Sequence, residues 1–513
     1  MVLTADEATI RTFVIVMSVI ASILALLVIA MLSLKKIHTI TLDGLKLRHK
    51  AIIAAVALIT VLCAILPMKL SPSYNGTNPQ HRDQYEEMAE AFLHGHLYLD
   101  EEPDPRLAAL DDPYDYSQRS SVGITYPQGW DHSYYNGHYY MYFGVVPVIL
   151  LFLPFRAITG VTLTTYHGTA IFTALFVIGM FALLYRLAKF FFSDLSLPAY
   201  LLLGTAMSFL SVWYVVDAPA LYCTAIVSAM CMAVWSLFFF VRAVWGDDDE
   251  KIALRYAFFG SLFGVLEVGC RPTIAVSNLI VVALVIVFIR KRGWHKGMLP
   301  RLVIAALPYL VIGGLLMLYN YLRFNNPLEF GQSYQLTRVN MSGGSMLTKY
   351  NLPKFLSAMH YYLFGMDKYE DIVTWGMFAT FPILLLGIVG LADVNVRGEL
   401  RRTGLDLPLI FAWFSFLMIL SADILFSELL LPRYRLDLYW LAAILTFTVL
   451  CLWYHVSWRK VAFSKVLCVL AVLTIWISIL LFITPNDENY TYFLFNRSPQ
   501  VMKDMILNTL TAS

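Results

Sequence analysis

Charge is what this sequence has least of. Only 14% of its 513 residues are Asp, Glu, Lys or Arg, where a soluble domain carries about 25%. That shortage excludes an ordinary water-soluble globule. The net charge is only +2, so no basic surface for nucleic acid is implied. Cysteine is equally sparse: Cys63, Cys223, Cys231, Cys270, Cys451 and Cys468 all fall in or beside apolar runs. Their placement excludes a disulfide framework and a CxxC metal site and leaves six small core residues. No convincing internal repeat is present. Charge inside the apolar runs is confined mainly to Glu267 with Arg271. Both absences weigh against a secondary transporter, which is built from repeats meeting at charge buried near the midplane.

What is abundant is hydrocarbon. The chain is 59% hydrophobic, and the apolar residues come in blocks of about 20, long enough to cross a bilayer as helices. This predicts an all-α polytopic membrane protein. Twelve spans are expected, over 12–32, 50–68, 163–185, 196–215, 219–242, 254–270, 273–290, 301–319, 373–392, 408–425, 438–455 and 464–484. The first run is too long for a signal peptide and lacks a cleavage pattern, so it reads as an anchor.

Lys and Arg orient the spans. Lys35, Lys36, Lys46, Arg48 and Lys50 follow the first span, and Arg290, Lys291, Arg292, Lys296 and Arg301 follow the seventh. Arg397, Arg401 and Arg402 lie between spans nine and ten, and Arg459, Lys460 and Lys465 between eleven and twelve. These loops share one parity, which places them in the cytoplasm and both chain ends outside. The expected organisation is two helices (1–68), an outer loop (69–162), helices three to eight (163–319), a second outer loop (320–372), helices nine to twelve (373–484) and an outer tail (485–513). The segment 141–159 is apolar but short and interrupted by Gly144, Pro147 and Pro154. It reads as a helix lying on, or dipping into, the outer leaflet. Four Asn-x-Ser/Thr sequons, at Asn75, Asn340, Asn489 and Asn496, fall on the same outer side.

The first outer loop is acidic, with twelve Asp or Glu against four Lys or Arg between 69 and 140. Polar chemistry concentrated at headgroup level suits an enzyme acting on a lipid headgroup better than it suits a pore. Within this loop, DQYEEMAEAFLHGHLYLD (83–100) and YYNGHYYMYFGVVPVILLFLPFRAITG (134–160) resemble the first outer loop of the GT-C superfamily. These are multispan glycosyltransferases, such as protein O-mannosyltransferases and bacterial aminoarabinose transferases, that use polyprenyl-phosphate sugars. The resemblance rests on Asp83, Tyr85, Ala89, Gly95, Asn136–Gly137, Tyr139–Tyr140, Pro147 and Gly160 in that order. LYNYLRFNNPLEFGQSY (318–334) and LPRYRLDLYW (431–440) are similar to later stretches of bacterial members. There are departures: Gln84 stands where Glu often follows the acid, Phe143 and Gly144 occupy a region where some members carry a basic residue, and the first span precedes the usual core.

The resemblance implies transfer of a monosaccharide, hexosyl or pentosyl, from a polyprenyl-phosphate donor to a hydroxyl of an outer glycan, lipid or protein, at the cell membrane. Direct displacement inverts the anomeric centre and needs one base, with cations to hold the departing phosphate. Asp83 is the candidate base, its bland alternative being a helix N-cap. Asp217, before Pro219, is a candidate second acid or a helix cap. Arg433, Arg271, Arg82 and Arg435 are candidates for the phosphate, because a planar guanidinium binds two oxygens at once. Arg271 can instead pair with Glu267 four residues earlier, and Arg433 and Arg435 can simply snorkel. Tyr85, Trp130 and Tyr139 are candidates for sugar or acceptor contact, although an interfacial aromatic belt also explains such residues.

Glu86, Glu87 and Glu90 read as a solvated helix face, and Asp100, Glu101, Glu102, Asp111 and Asp112 as loop solvation. No cofactor is required; a divalent ion between Asp83 and Asp217 is conceivable. His94 and His96 have poor spacing for zinc. The alternatives are a flippase or transporter for lipid-linked glycans and a polysaccharide polymerase or ligase using a diphosphate-linked donor.

Overall fold

The computed structural model describes residues 7–70, 83–125, 129–219, 221–246, 249–342, 351–365, 368–369, 372–373, 375–426 and 431–483. Arg82, Tyr126, Asn75, Asn489, Asn496 and the tail from 485 lie outside the described residues.

In chain order the helices are α1 (Glu7–Leu32), α2 (Leu47–Ile65), α3 (Gln84–His94) and α4 (Tyr116–Ser121), then a hairpin, β1 (His132–Tyr135) with β2 (His138–Met141). There follow α5 (Leu153–Thr159), α6 (Thr165–Phe191), α7 (Leu197–Asp217), α8 (Leu221–Trp245), α9 (Glu250–Val268), α10 (Leu279–Arg292) and α11 (Met298–Phe324). The remainder is α12 (Leu352–Phe364), α13 (Met377–Thr380), α14 (Ile383–Val389), α15 (Val394–Thr403), α16 (Asp406–Phe426), α17 (Leu436–Val456) and α18 (Lys460–Ile483).

The chain is an all-α, multi-pass membrane protein. Among the described residues, ten helices are long and apolar enough to cross a bilayer, against the twelve spans expected. The difference has a physical cause in both places. The predicted span at 254–270 is α9, which carries Glu250, Lys251, Arg255 and Glu267 in 19 residues. The predicted span at 373–392 breaks into α13 and α14, interrupted by Pro382 at the second N-cap. Proline lacks the N–H that would continue the preceding turn. The segment at 141–159 becomes a π-helical turn, Val148–Phe152, running into α5, and is too short to span.

Burial sorts the long helices into layers. Helices α7, α8 and α17 are almost wholly enclosed, whereas α1 and α11 leave most of their apolar surface outside, with Leu26 67% exposed and Leu310 64%. A helix apolar all round fits the centre of a bundle or a face against lipid, and these two groups take the two roles. All six cysteines are free; five are buried as expected, whereas Cys63 is exposed.

The loop between α2 and α6 folds as a satellite core over the bundle. Helix α3 buries Tyr85, Met88, Ala89 and Ala91 in it and ends at Gly95, whose φ of 88° is the left-handed C-cap conformation. The Asn136–Gly137 pair turns the β1–β2 hairpin with φ of 48° and 79°, as a two-residue turn of the hairpin-favouring hand requires. The segment after α11 returns to this hairpin. Leu336 N–H donates to His132 O at 2.9 Å, Asp131 N–H donates to Leu336 O at 3.1 Å, and Ser133 Oγ donates to Gly331 O at 2.8 Å. Two loops separated by about 200 residues thus make one structure.

The expected solvated face of α3 is overturned. Glu86 is buried, at 6% exposure, and accepts from Thr165 N–H at 2.6 Å and Thr165 Oγ at 3.3 Å. Glu90 forms a two-pronged ion pair with Arg156 at 2.8 and 3.1 Å. The reason is the short helix α5. It packs against α3, so the acids that would face water meet Arg156 and the N-terminus of α6 instead. Thr165 N–H is one of the helix-start donors that have no partner within their own helix. Burial pushes the Glu86 carboxyl up to about 7, against the two Thr165 hydrogen bonds, with the charges of Asp83 and Glu87 adding to the rise.

Candidate functional site

A cavity of about 810 Å³ opens where the satellite core meets the bundle. The hairpin loop contributes Trp130 and Asp131 to its wall, α8 contributes Tyr222, and the turn after α9 contributes Arg271. The segment after α11 adds Gln335, and the turn into α17 adds Arg433 and Tyr434.

Asp131 is held on this wall from several sides. Its φ is 61°, a left-handed conformation that aspartate tolerates better than most side chains. Tyr222 Oη donates to its Oδ2, and Gln335 Nε2 donates to its Oδ1 at 2.7 Å. Gln84 Nε2 donates to its backbone oxygen at 3.0 Å while Gln84 Oε1 accepts from Tyr142 N–H at 3.2 Å. Gln84, at the position where the GT-C resemblance leads one to expect Glu, therefore braces the Asp131 turn. Burial pushes the Asp131 carboxyl above the usual aspartate range, opposed by the Tyr222 hydrogen bond and by the charge of Arg433. The Arg433 guanidinium lies over the Tyr222 ring, 3.7 Å from its centroid. Acid, phenol and guanidinium thus form one stack.

Also on the cavity wall, Arg271 Nε donates to Asp437 Oδ2 at 2.7 Å, and Thr273 Oγ donates to the same oxygen at 3.1 Å. The alternative pairing of Arg271 with Glu267 is not formed. Helix α9 ends at Val268, the chain turns, and Glu267 instead accepts from Ser277 Oγ at 2.7 Å and Asn278 Nδ2 at 3.1 Å. The Arg271 guanidinium also lies 5.7 Å from the Tyr434 ring centroid. Asp423 of α16 is buried on the same wall. A third cation, Arg323, donates to Met141 O at 2.9 Å and to Asn320 Oδ1 at 2.8 Å.

Of the residues selected from sequence, Trp130, Arg271 and Arg433 line the cavity. Asp83, Asp217, Tyr85, Tyr139 and Arg435 lie off its wall. Asp83 sits at the N-cap of α3 but makes no side-chain cap bond. Its carbonyl accepts from Glu86 N–H at 2.9 Å and Glu87 N–H at 3.1 Å. Its charge acts on its neighbours Tyr85 and Glu86. Asp217 is the last residue of α7 and is buried. Tyr85 and Tyr139 are buried in the satellite core, Tyr85 stacked on Phe152 at 5.4 Å. Arg435 is buried beneath α12, donating to Trp375 O at 2.8 Å with Tyr361 and Tyr362 rings 5.4 and 5.2 Å away. Arg435 therefore does not snorkel to a surface, whereas Arg433 is half-buried on the cavity wall.

Sequence reasoning missed Asp131, Tyr222, Gln335, Asp423 and Asp437. Asp437 stood inside the quoted LPRYRLDLYW stretch. Asp131 follows Gly129–Trp130 in a turn-rich segment, a signal consistent with an aspartate at positive φ.

The described residues hold two groups whose ligand atoms converge closely enough for a metal, namely His94, His96 and Asp100, and Glu87, Glu101 and His132. Asp83 and Asp217 belong to neither.

The fold and site together define a class: a polytopic membrane protein with an open, cation-bearing cavity beside an acid-rich loop domain. No protein-family model matches the chain, and none of the curated proteins does. Solved structures with some likeness are those of the oligosaccharyltransferase of Archaeoglobus fulgidus. Its apo form is 12% identical, with a TM-score of 0.46 over 85% of this chain and 57% of that one. Its complex with an inhibitory peptide and a dolichol-phosphate is 14% identical, with a TM-score of 0.45 over 85% and 56%. This chain therefore spans a little over half the length of those solved chains.

Proposed function

We propose that this protein is an inverting glycosyltransferase of GT-C type, moving a monosaccharide from a polyprenyl-phosphate donor to a hydroxyl acceptor on the outer face of the membrane. The observation that carries the reading is the cavity wall. Arg271 and Arg433 line it together with an acid, Asp131, and with Trp130, Tyr222 and Tyr434, beside a bundle of apolar helices. Guanidinium groups suit a departing phosphate and aromatic faces suit a sugar or a prenyl chain. The apolar helices suit the lipid that carries both.

Roles follow from chemistry. The two arginines receive the phosphate oxygens as negative charge develops on them. A carboxylate takes the acceptor proton. Asp83 is the candidate from the GT-C resemblance, and Asp131 is the acid on the wall. The balance favours Asp83 as base only if the acceptor enters along the N-terminal end of α3, because Asp131 already accepts from Tyr222 and Gln335. Asp131 then orients Tyr222 and, through it, Arg433. Arg82 and Arg435 are secondary phosphate candidates, and Asp217, Tyr85 and Tyr139 support the site from behind. A divalent ion is an optional partner of this chemistry.

The test uses the purified full-length chain in lipid nanodiscs with polyprenyl-phosphate sugars and a panel of hydroxyl acceptors. Asp83→Asn is expected to reduce transfer by at least about 100-fold, the low end for loss of a positioned base. Full retention by Asp83→Asn removes the base assignment. Turnover of diphosphate-linked oligosaccharides and not of the monophosphate donor favours the polymerase or ligase reading.

A further inference from the structure

The carboxylates of Glu87 and Glu101 converge on one nitrogen of His132. Glu101 Oε2 lies 3.6 Å and Glu87 Oε2 3.9 Å from His132 Nε2. The other ring nitrogen, Nδ1, lies 3.0 Å from Trp130 O. A carbonyl can only accept, so Nδ1 carries the proton, and in the neutral ring Nε2 presents its lone pair to the two acids. Nε2 is sealed from solvent and makes no hydrogen bond among the described residues. The gaps to the acids are too wide for hydrogen bonds. They are close to the edge of a tetrahedron, about 3.4 Å when metal–ligand distances are about 2.0–2.2 Å.

We infer that Glu87, Glu101 and His132 form a zinc site. One imidazole and two carboxylates are an ordinary donor set for this ion, and zinc outranks manganese and iron for such donors. The Nδ1–H bond to a backbone carbonyl is the outer-shell support that ligating histidines require. Three ligands leave one tetrahedral position, and Glu101, with its side chain 49% exposed, opens that position to water. Glu87 belongs to α3 and His132 begins β1, directly after Asp131. A bound ion therefore pins the Asp131 turn to α3, alongside the Gln84 brace. A protonated His132 paired with both acids is the competing account. It would close at least one of the two gaps to hydrogen-bond length.

The experiment is zinc titration of the purified full-length protein by calorimetry, with zinc K-edge X-ray absorption of the wild-type complex. Expected are one saturable ion and a first shell of one imidazole with oxygen donors. Affinity should fall by at least about 100-fold in His132→Ala, the upper end of what losing even an outer-shell partner costs. The double variant His94→Ala/His96→Ala should keep the site. No saturable zinc, a first shell with two imidazoles, or binding that survives His132→Ala overturns the assignment. The absorption spectrum uses wild-type protein, so it decides the matter even where His132→Ala does not fold. Sugar transfer is not measured at any point, so the outcome is independent of the proposed activity.

Discussion

Replacing Glu86 by Gln should stabilise this protein at alkaline pH, although it removes a buried carboxylate that holds the start of α6. The folded carboxyl is raised to about 7, from an ordinary 4.5. Between those values the native state binds more protons than the unfolded chain, so stability falls as pH rises and is level above about 7. The displacement corresponds to about 3 kcal/mol at about 1.4 kcal/mol per pH unit. Gln keeps a side-chain oxygen for Thr165 N–H, the 2.6 Å bond of the wild type, and has no charge to desolvate. The two proteins should be similar near pH 4.5, and Glu86→Gln should be the more stable by up to about 3 kcal/mol at pH 8. The assay is thermal unfolding in detergent from pH 4.5 to 8.5, with a chelator present to keep Glu87 metal-free. Equal pH slopes in both proteins, or a variant less stable at pH 8, would refute the burial argument.

Other perturbations test other contacts. Gly144→Ala places a Cβ 2.3 Å from the carbonyl oxygens of Gly269 and Cys270; backbone cannot swing aside, so a loss of about 1–3 kcal/mol is expected by thermal unfolding. Asp194 lies 2.8 Å from both Lys460 Nζ and His455 Nδ1. Its carboxyl is held below the usual range because these two partners outweigh its burial. The stability it supplies is present above its unfolded pKa and disappears as pH falls through the folded one, so Lys460→Met should flatten the acid limb of a stability–pH curve. An unchanged limb would show that the contact is not formed. Arg433→Lys keeps the charge but gives up the planar face against Tyr222; donor affinity measured by titration should weaken several-fold, and unchanged affinity would remove Arg433 from the phosphate site. Asp131→Asn should raise donor KM if Asp131 orients Tyr222 and, through it, Arg433, and an unchanged donor KM would contradict that role.

The hydrophobic blocks determined the membrane helices, because a run of about 20 apolar residues has few other stable settings. The same composition made five of the six cysteines core residues and reduced 141–159 to a short helix, its Pro and Gly being visible in the chain. Local rules also sufficed for the N-terminus of α3 at Asp83. Partnership was a different matter. Arg271 finds Asp437, 166 residues away, and not Glu267 four residues before it, because α9 ends at Val268 and the turn redirects the chain. Asp131 owes its place on the cavity wall to Tyr222 and Gln335, which arrive from distant segments. Glu86 looked solvated because its helix has a polar stripe, and only the docking of α5 and α6 shows that stripe covered. Periodicity reports which face of an element is apolar; it carries no information about which other element arrives to cover the rest. Burial, and with it the charge state of each acid, is therefore decided by tertiary packing.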